Sequence, residues 1–184
     1  MPSIFSHAIT AFTLSECSMQ KNSAKLWFIG VFCSVIPDID TLAFKFGIPY
    51  ETMFGHRGFT HSIFFALTLS VTIVLIFFRE HPFFSKKTIT LVLFFFICTM
   101  LHGILDAMTS GGKGVAFLAP FSNERIFSPF HPITVSPIGV RFFSEQGIAV
   151  IQSELLCIWL PSVLLIVVFR IIKRFKINTF KQTC

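Results

Sequence analysis

Long apolar runs, separated by short polar segments, extend along most of the chain. An α-helix rises about 1.5 Å per residue, so a helix that crosses a hydrocarbon core of about 30 Å needs about 20 residues. Three runs approach this length and predict spanning helices at residues 62–78, 88–108 and 147–172. Pro161 lies inside the last run and predicts a kink or a local unwinding of that helix.

Two shorter apolar runs, residues 4–16 and 24–35, precede the long ones. Each is too short to cross a bilayer as a straight helix, so we expect a half-length or tilted hairpin that packs against the long spans. The pattern therefore predicts an all-α fold, a polytopic membrane helix bundle of about five helices. Residues 1–184 form a single domain in this interpretation, because no linker or internal repeat divides them.

A long segment of mixed polar and aromatic residues, 109–146, joins the last two predicted spans. It is rich in Gly, Pro and Ser, and it is too long to be a simple connector. We expect this loop to fold over one end of the bundle as a lid or as a wall of a substrate site.

The composition excludes an ordinary soluble domain, because 53% of the residues are hydrophobic, only 13% are charged and 26 are Phe. The net charge of +6 does not predict a nucleic-acid partner, since the basic residues lie beside the apolar runs rather than in a soluble basic patch. They are better interpreted as signals of membrane topology.

Lys and Arg are enriched in cytoplasmic loops of membrane proteins, so their positions predict the orientation of the chain in the membrane. Most basic residues lie between the first two long spans, after the last span, or at the turn of the N-terminal hairpin. We therefore expect the N-terminus outside and the C-terminus in the cytoplasm. The residues assigned to the cytoplasmic side are Lys21, Lys25, Arg79, Lys86, Lys87, Arg170, Lys173, Arg174, Lys176 and Lys181.

With this topology, the potential metal ligands fall near the outer ends of five separate segments. Glu154 lies about two turns into the last span from the same side. We therefore predict one site on the outer face of the membrane. The other residues that converge there are His7, Asp38, Asp40, His56, His61, His102 and Asp106.

Two short motifs carry the carboxylates. In "HGILD", His102 and Asp106 are four apart and share a helical face, which suits two ligands of one metal or a structural His–Asp hydrogen bond. In "PDID", an extended or turn backbone would aim Asp38 and Asp40 to one side, either as ligands or as solvated helix caps. Carboxylates beside imidazoles suit zinc, manganese or iron, and such a cluster can hold two metals.

The motif "HRGFTHS" contains two histidines five residues apart, which cannot share a helical face. We expect His56 in a loop and His61 near the start of a helix, with Thr60 or Ser62 as its cap. Arg57 has the planar fork that binds phosphate, although a lipid headgroup or a carboxylate would serve it equally well.

The two remaining site candidates depend on context. His7 alone would be interpreted as a core histidine, and its convergence with the other residues favours ligation. Glu154 can be a ligand, a general base, or a partner of Arg125 or Arg141. Because the chain has no GxSxG motif, hydrolysis by metal-activated water is favoured over a serine nucleophile.

The motifs "PDID", "HRGFTHS", "HGILDAMTSGG", "LAPFSNERIF", "VSPIG" and "SELLCIWLP" occur in this order. Together they resemble the YdjM-like family of inner-membrane proteins described as metal-dependent hydrolases, from residue 7 to about residue 161. The resemblance implies a location in the bacterial cytoplasmic membrane. It also implies a distant kinship with the all-helical zinc-dependent phospholipase C and single-strand nuclease fold group, which cleaves phosphoesters. Carried onto matching positions, it marks the seven His and Asp residues as the metal set, with Glu154 as a further candidate.

The expected function is therefore that of a membrane-bound hydrolase that cleaves a phosphoester of a lipid or another amphiphile. The cofactor would be a divalent metal, with zinc as the first choice and Mn²⁺ or Fe²⁺ as alternatives. Asp38, Asp40 or Glu154 would orient or deprotonate the water, and Arg57 with Arg125 would neutralise the developing charge. The alternative function is a non-catalytic metal-binding membrane protein with a role in transport or envelope regulation.

Overall fold

A computed structural model describes residues 1–18, 24–137 and 139–182. Lys21, assigned above to the hairpin turn, lies outside the described residues. Regular structure in these ranges is helical, and β pairing among them is limited to two isolated bridges, Thr109 with Ile133 and Val115 with Ile126. The all-α prediction is confirmed.

Five continuous helical rods make up the bundle in the described part of the chain. The second rod passes from α-helix into a 3₁₀ helix, Ile36–Phe46, and the fifth contains one π-helical stretch, Leu155–Trp159. The predicted number of helices is therefore confirmed. The α-helical elements are α1 (Ile4–Cys17), α2 (Ala24–Val35), α3 (Ile63–Phe77), α4 (Lys86–Ala107), α5 (Glu145–Glu154) and α6 (Leu160–Gln182).

Three rods are long and apolar enough to cross a membrane: Ala24–Phe46, Lys86–Ala107 and Glu145–Phe175. Two of them were predicted as spans. The sequence predicted the third span at residues 62–78, but α3 has only 15 residues. The helix that begins with α2 is the longer one, because the 3₁₀ segment extends it to Phe46. Pro37 lies in the first turn of that extension, where its fixed φ is compatible with a helix start, so the chain continues as a helix instead of ending at "PDID".

The local unwinding predicted near Pro161 occurs just before it. Pro161 has no N–H, and its ring crowds the carbonyl four residues earlier. The backbone hydrogen bonds before it therefore change from the α-helical to the π-helical pattern, in the stretch that precedes α6. The helix nevertheless continues, so α5 and α6 form a single rod.

The packed interior lies between the first four helices, and α4 contacts α1, α2 and α3. Its centre is formed by small and aromatic side chains such as Ala11, Cys33 and Phe95. The outer faces of α3 and α6 carry exposed Leu and Val residues, as expected for helices that meet lipid.

The segment 109–146 lies over the end of the bundle where α4 finishes and α3 begins, as predicted. Backbone hydrogen bonds of its described residues tie it to that end: for example, Ala116 N donates to Arg57 O, Ile63 N donates to Phe117 O, and Ser136 N donates to Met1 O. This end of the bundle is therefore closed by the loop and by the N-terminal residues together.

Candidate metal centre

Four side chains from three segments meet at the end of the bundle that the loop covers. His102 and Asp106 lie one turn apart in α4, Asp38 lies in the 3₁₀ extension of α2, and His61 ends the short 3₁₀ turn Phe59–His61 before α3. His61 Nε2 lies 3.0 Å from His102 Nε2 and 3.3 Å from Asp106 Oδ2. His102 Nε2 lies 3.3 Å from Asp38 Oδ1.

The two separations of 3.3 Å fit ligands of one ion, and the 3.0 Å between the two imidazole nitrogens is shorter by about 0.3 Å. Two atoms bonded to zinc at about 2.0–2.2 Å with tetrahedral angles are about 3.3–3.6 Å apart. The two longer separations are 3.8 Å, from His61 Nε2 to Asp38 Oδ1, and 4.0 Å, from His102 Nε2 to Asp106 Oδ2. The donor set of two imidazoles and two carboxylates also matches the preference of zinc, iron or manganese.

The carboxylate oxygens at this centre lack hydrogen-bond donors. Both oxygens of Asp38 and both of Asp106 are buried and accept no hydrogen bond from the described residues. Burial of an unsatisfied carboxylate is costly, and coordination of a cation removes the cost. Asp106 lies beside Arg57, whereas the ion-pair partners of Asp38 among the described residues are histidines, so a divalent metal would neutralise the charge of Asp38 in particular.

The two imidazoles are oriented from behind. His102 Nδ1 lies 2.7 Å from the carbonyl oxygen of Ser34, and His61 Nδ1 lies 3.1 Å from Asp40 Oδ2. Because these oxygens can only accept, each Nδ1 carries a hydrogen, and Nε2 is the atom that faces the centre. Histidines that bind metals are held in this way by a carbonyl or a carboxylate on the other ring nitrogen.

His61 is the histidine most affected by its neighbours. Burial lowers its pKa, but close contact with the carboxylates of Asp106 and Asp40 and their negative charges raise it more strongly, to about 9. Without a metal, His61 therefore carries a second proton at neutral pH, and its Nε2 can donate this proton to His102 Nε2.

Asp40 binds the segment that leads from the loop into α3. Its Oδ1 accepts from His56 Nδ1 at 2.6 Å, and its Oδ2 accepts from Arg57 N at 2.9 Å and from Thr60 Oγ1 at 2.7 Å. The two carboxylates have different neighbours, since Asp38 lies near His61 and His102, but an oxygen of each lies within 4.8 Å of the other, and the prediction that both point to one side as ligands stays a prediction. Asp40 holds the "HRGFTHS" segment in place.

His56 lies in a loop, as predicted, and Asp38, Asp40 and His56 form a second group with ligand atoms close together. However, the Asp40–His56 separation of 2.6 Å is a hydrogen-bond distance, shorter than the spacing expected of two ligands on one ion. Metal ligation by Asp40 and His56 stays a prediction, and their contacts fit a supporting role better. Ser62 caps α3 by accepting from Phe65 N, which confirms one of the two predicted caps.

His7 lies beside the four-atom centre. Its ring stacks on that of His102, with centroids 3.8 Å apart, and its Nε2 lies 3.7 Å from Asp106 Oδ1. Both ring nitrogens are buried without a hydrogen-bond partner among the described residues. The α-amino group of Met1 lies 4.0 Å from the same oxygen, and burial lowers its pKa to about 6. His7 and the α-amino group of Met1 therefore lie beside Oδ1 of Asp106, and Oδ2 faces His61.

Arg57 contacts a carboxylate, that of Asp106, which is one of the three kinds of partner that the sequence left open. Its Nε lies 3.0 Å from Asp106 Oδ2, while its two terminal nitrogens donate to Gly111 O and Thr109 Oγ1. The guanidinium is buried, and a Cβ on Gly112 would lie 2.6 Å from its Nη1. Gly112 of "HGILDAMTSGG" thus leaves room for Arg57, whose phosphate-binding role stays a prediction.

Glu154 is bound to the N-terminal residues instead of to an arginine. Its carboxylate accepts from Ser3 N, Ser3 Oγ and Ser6 Oγ, and Trp159 Nε1 donates to Ser6 Oγ. It is fully buried and belongs to neither of the two groups of potential ligands described above. Sequence reasoning missed these serines, although two hydroxyl residues three apart at the start of an apolar helix were a usable signal.

Arg125 supports the same end of the protein from the loop. Its terminal nitrogens donate to the carbonyl oxygens of His56, Tyr50 and Thr52. The arginine of "LAPFSNERIF" therefore fixes the backbone that leads into "HRGFTHS". Sequence reasoning could not find these contacts, since main-chain carbonyls leave no sequence signal.

The chain was also compared with known proteins. The sequence model of a family described as YdjM inner membrane protein matches residues 1–177. The chain is 39% identical over 167 residues to a protein described as inner membrane protein YbcI, from Escherichia coli (strain K12), and the alignment covers 90% of this chain and 95% of that protein. No solved structure matches the chain. The family match includes all the segments that form the centre.

Proposed function

This chain belongs to the YdjM family of inner membrane proteins, and we propose that it is a membrane-bound, metal-dependent hydrolase. The observation that carries the proposal is the pair of buried carboxylates without hydrogen-bond donors, facing two imidazoles whose Nε2 atoms are turned toward them. As substrate we propose a phosphoester of a lipid or another amphiphile, because the centre lies at one end of a membrane helix bundle.

In this proposal Asp38, His61, His102 and Asp106 hold one divalent ion, with zinc as the first choice. When bound, such an ion lowers the pKa of a water ligand and polarises a phosphoryl oxygen. The residues around it set the geometry: Ser34 O and Asp40 orient the imidazoles, and Arg57 holds Asp106. We assign Arg57 to positioning, because its Nε faces Asp106 and its two terminal nitrogens donate to Gly111 O and Thr109 Oγ1.

Asp38 is the carboxylate best placed to orient an attacking water. Its side chain is the most exposed of the four, at 11%, and the other ligands are almost completely buried. Glu154 is less suited to act as a base, because its oxygens already accept from three donors. We propose that Glu154 fixes the N-terminal residues beside His7.

The protein purified in detergent should contain about one zinc ion per chain. It should also hydrolyse phosphatidylglycerol in mixed micelles or the soluble diester bis(p-nitrophenyl) phosphate. Metal content is measured by inductively coupled plasma mass spectrometry, and hydrolysis by release of the phosphate-containing product. Removal of the metal with a chelator should stop the reaction, and added zinc should restore it.

Sealed vesicles provide the control for the site's location. We propose that the centre faces outward, so a membrane-impermeant chelator should stop hydrolysis in right-side-out vesicles and leave inside-out vesicles active. The opposite pattern would refute the outward orientation. Stoichiometric metal without turnover on any lipid tested would refute the enzyme and leave the non-catalytic metal-binding protein as the better function.

Zinc affinity should depend on pH because of His61. Its pKa of about 9 in the metal-free protein means that zinc must displace a proton at neutral pH. Fewer protons compete as the pH rises, so the apparent affinity should increase about tenfold per pH unit from pH 7 to about pH 9. Titrations against a competing zinc dye at several pH values measure this slope. A flat profile would show that His61 Nε2 is not a ligand.

A further inference from the structure

A large apolar groove opens next to the candidate metal centre. Its volume is about 950 Å³, and its walls come from the start of α1, from α2 with its 3₁₀ extension, and from the 3₁₀ turn Gly139–Phe143. Phe28 and Phe32 line one side, Ile4 and Phe5 another, and Phe142 contacts the ring of Phe5 across it. The groove is thus a feature of three packed elements and has the size of a typical ligand site.

The groove reaches the metal centre through one residue. Asp38 is the member of the four-ligand set that lines it, and Met1 lines it as well. Because Asp38 Oδ1 lies 3.3 Å from His102 Nε2, a molecule in the groove that reaches Asp38 is at the centre. Apolar walls that end at a carboxylate and a metal centre suit an amphiphile.

The surroundings of the groove determine its occupant. Phe5, Phe28 and Phe32 are each more than half exposed, and they belong to helices of a membrane bundle. At hydrocarbon depth an apolar surface meets acyl chains, because water there would lack hydrogen-bond partners. The groove is therefore continuous with the surface that the protein presents to lipid.

We propose that this groove binds an acyl chain of a membrane phospholipid and places its phosphoester at Asp38. The proposal rests on the proposed function for the identity of the phosphoester as substrate, but binding of the chain does not require hydrolysis. An acyl chain gains little by moving from lipid to an equally apolar groove. The groove therefore contributes position and chain selectivity more than affinity.

Photo-crosslinking after detergent extraction tests the proposal. A photoreactive phenylalanine analogue, benzoylphenylalanine, is placed at Phe32 in the groove or at Phe64 on the lipid-facing side of α3, which is 44% exposed. The protein is extracted from vesicles of phosphatidylethanolamine and phosphatidylglycerol into dodecyl maltoside and irradiated. A retained lipid should give about tenfold more phospholipid adduct at position 32 than at position 64, as measured by mass spectrometry.

A pair of matched substitutions sharpens the result. Ala8→Trp fills the groove and should remove the adduct at position 32, whereas Ala149→Trp changes an exposed alanine of α5 outside the groove and should keep it. Equal adducts at positions 32 and 64, or a crosslink from position 32 to a second protein chain, would overturn the proposal even if Ala8→Trp fails to fold. The metal-free protein gives the same readout, so a failure here is distinguishable from a failure of the hydrolase proposal.

Discussion

Replacement of His102 with alanine should remove the bound metal and abolish phosphoester hydrolysis. His102 supplies one of the four donor atoms, and the carbonyl oxygen of Ser34 orients its ring. Loss of a partner that merely orients a ligand already costs about 10–100-fold in metal affinity, so we expect a loss of more than about 100-fold for the ligand itself. Competitive zinc titration and the hydrolysis assay on the purified variant measure both effects.

His81→Ala is the matched control for this substitution. His81 lies in the loop between α3 and α4, at the other end of the bundle, where its imidazole lies 3.6 Å from the exposed Glu80. It should keep wild-type metal content and activity. If His102→Ala retains stoichiometric zinc with unchanged affinity, the four-residue centre is wrong.

Replacement of Arg57 with alanine should destabilise the metal-free protein much more than the metal-loaded protein. In the metal-free state the guanidinium is the cation nearest to buried Asp106, with Nε 3.0 Å from Oδ2. Removal of one partner of a buried ion pair costs up to about 3–5 kcal/mol, and the protonated His61 beside Asp106 compensates for only part of the loss. A bound divalent ion supplies that compensation, so the loss should shrink when metal is present. Denaturant unfolding in detergent, with chelator or with zinc, measures the difference.

The control for Arg57→Ala is Arg170→Ala, which removes an arginine that is 63% exposed and forms an ion pair with Glu16. Exposed pairs contribute about 1 kcal/mol or less, so this variant should unfold nearly like the wild type with or without metal. An equal loss for Arg57→Ala in both states would mean that Asp106 and the metal do not interact.

The helical architecture was predictable because the length of an apolar run sets the length of a helix in lipid. The bounds of α2 agreed with the sequence, and those of α3 and α4 differed by at most two residues. The gathering of His61, His102, Asp38 and Asp106 was also predictable, since basic loops fix which helix ends lie together.

The finer geometry was not predictable, for physical reasons that differ by residue. Whether "PDID" ends a helix or continues as a 3₁₀ helix depends on packing against α4, so the different partners of Asp38 and Asp40 could not be predicted. The orientation of His102 depends on the carbonyl of Ser34, and every residue has a carbonyl. Glu154 is bound by Ser3 and Ser6, which lie about 150 residues away along the chain.

The shortness of α3 has a consequence for the bilayer itself. Its 15 residues make a helix about 22 Å long, roughly 8 Å less than an average hydrocarbon core. The membrane can match this helix only by thinning beside it or by admitting headgroups and water at its ends. His61 immediately precedes the first turn of α3, so either adjustment brings the polar boundary of the membrane closer to the metal centre.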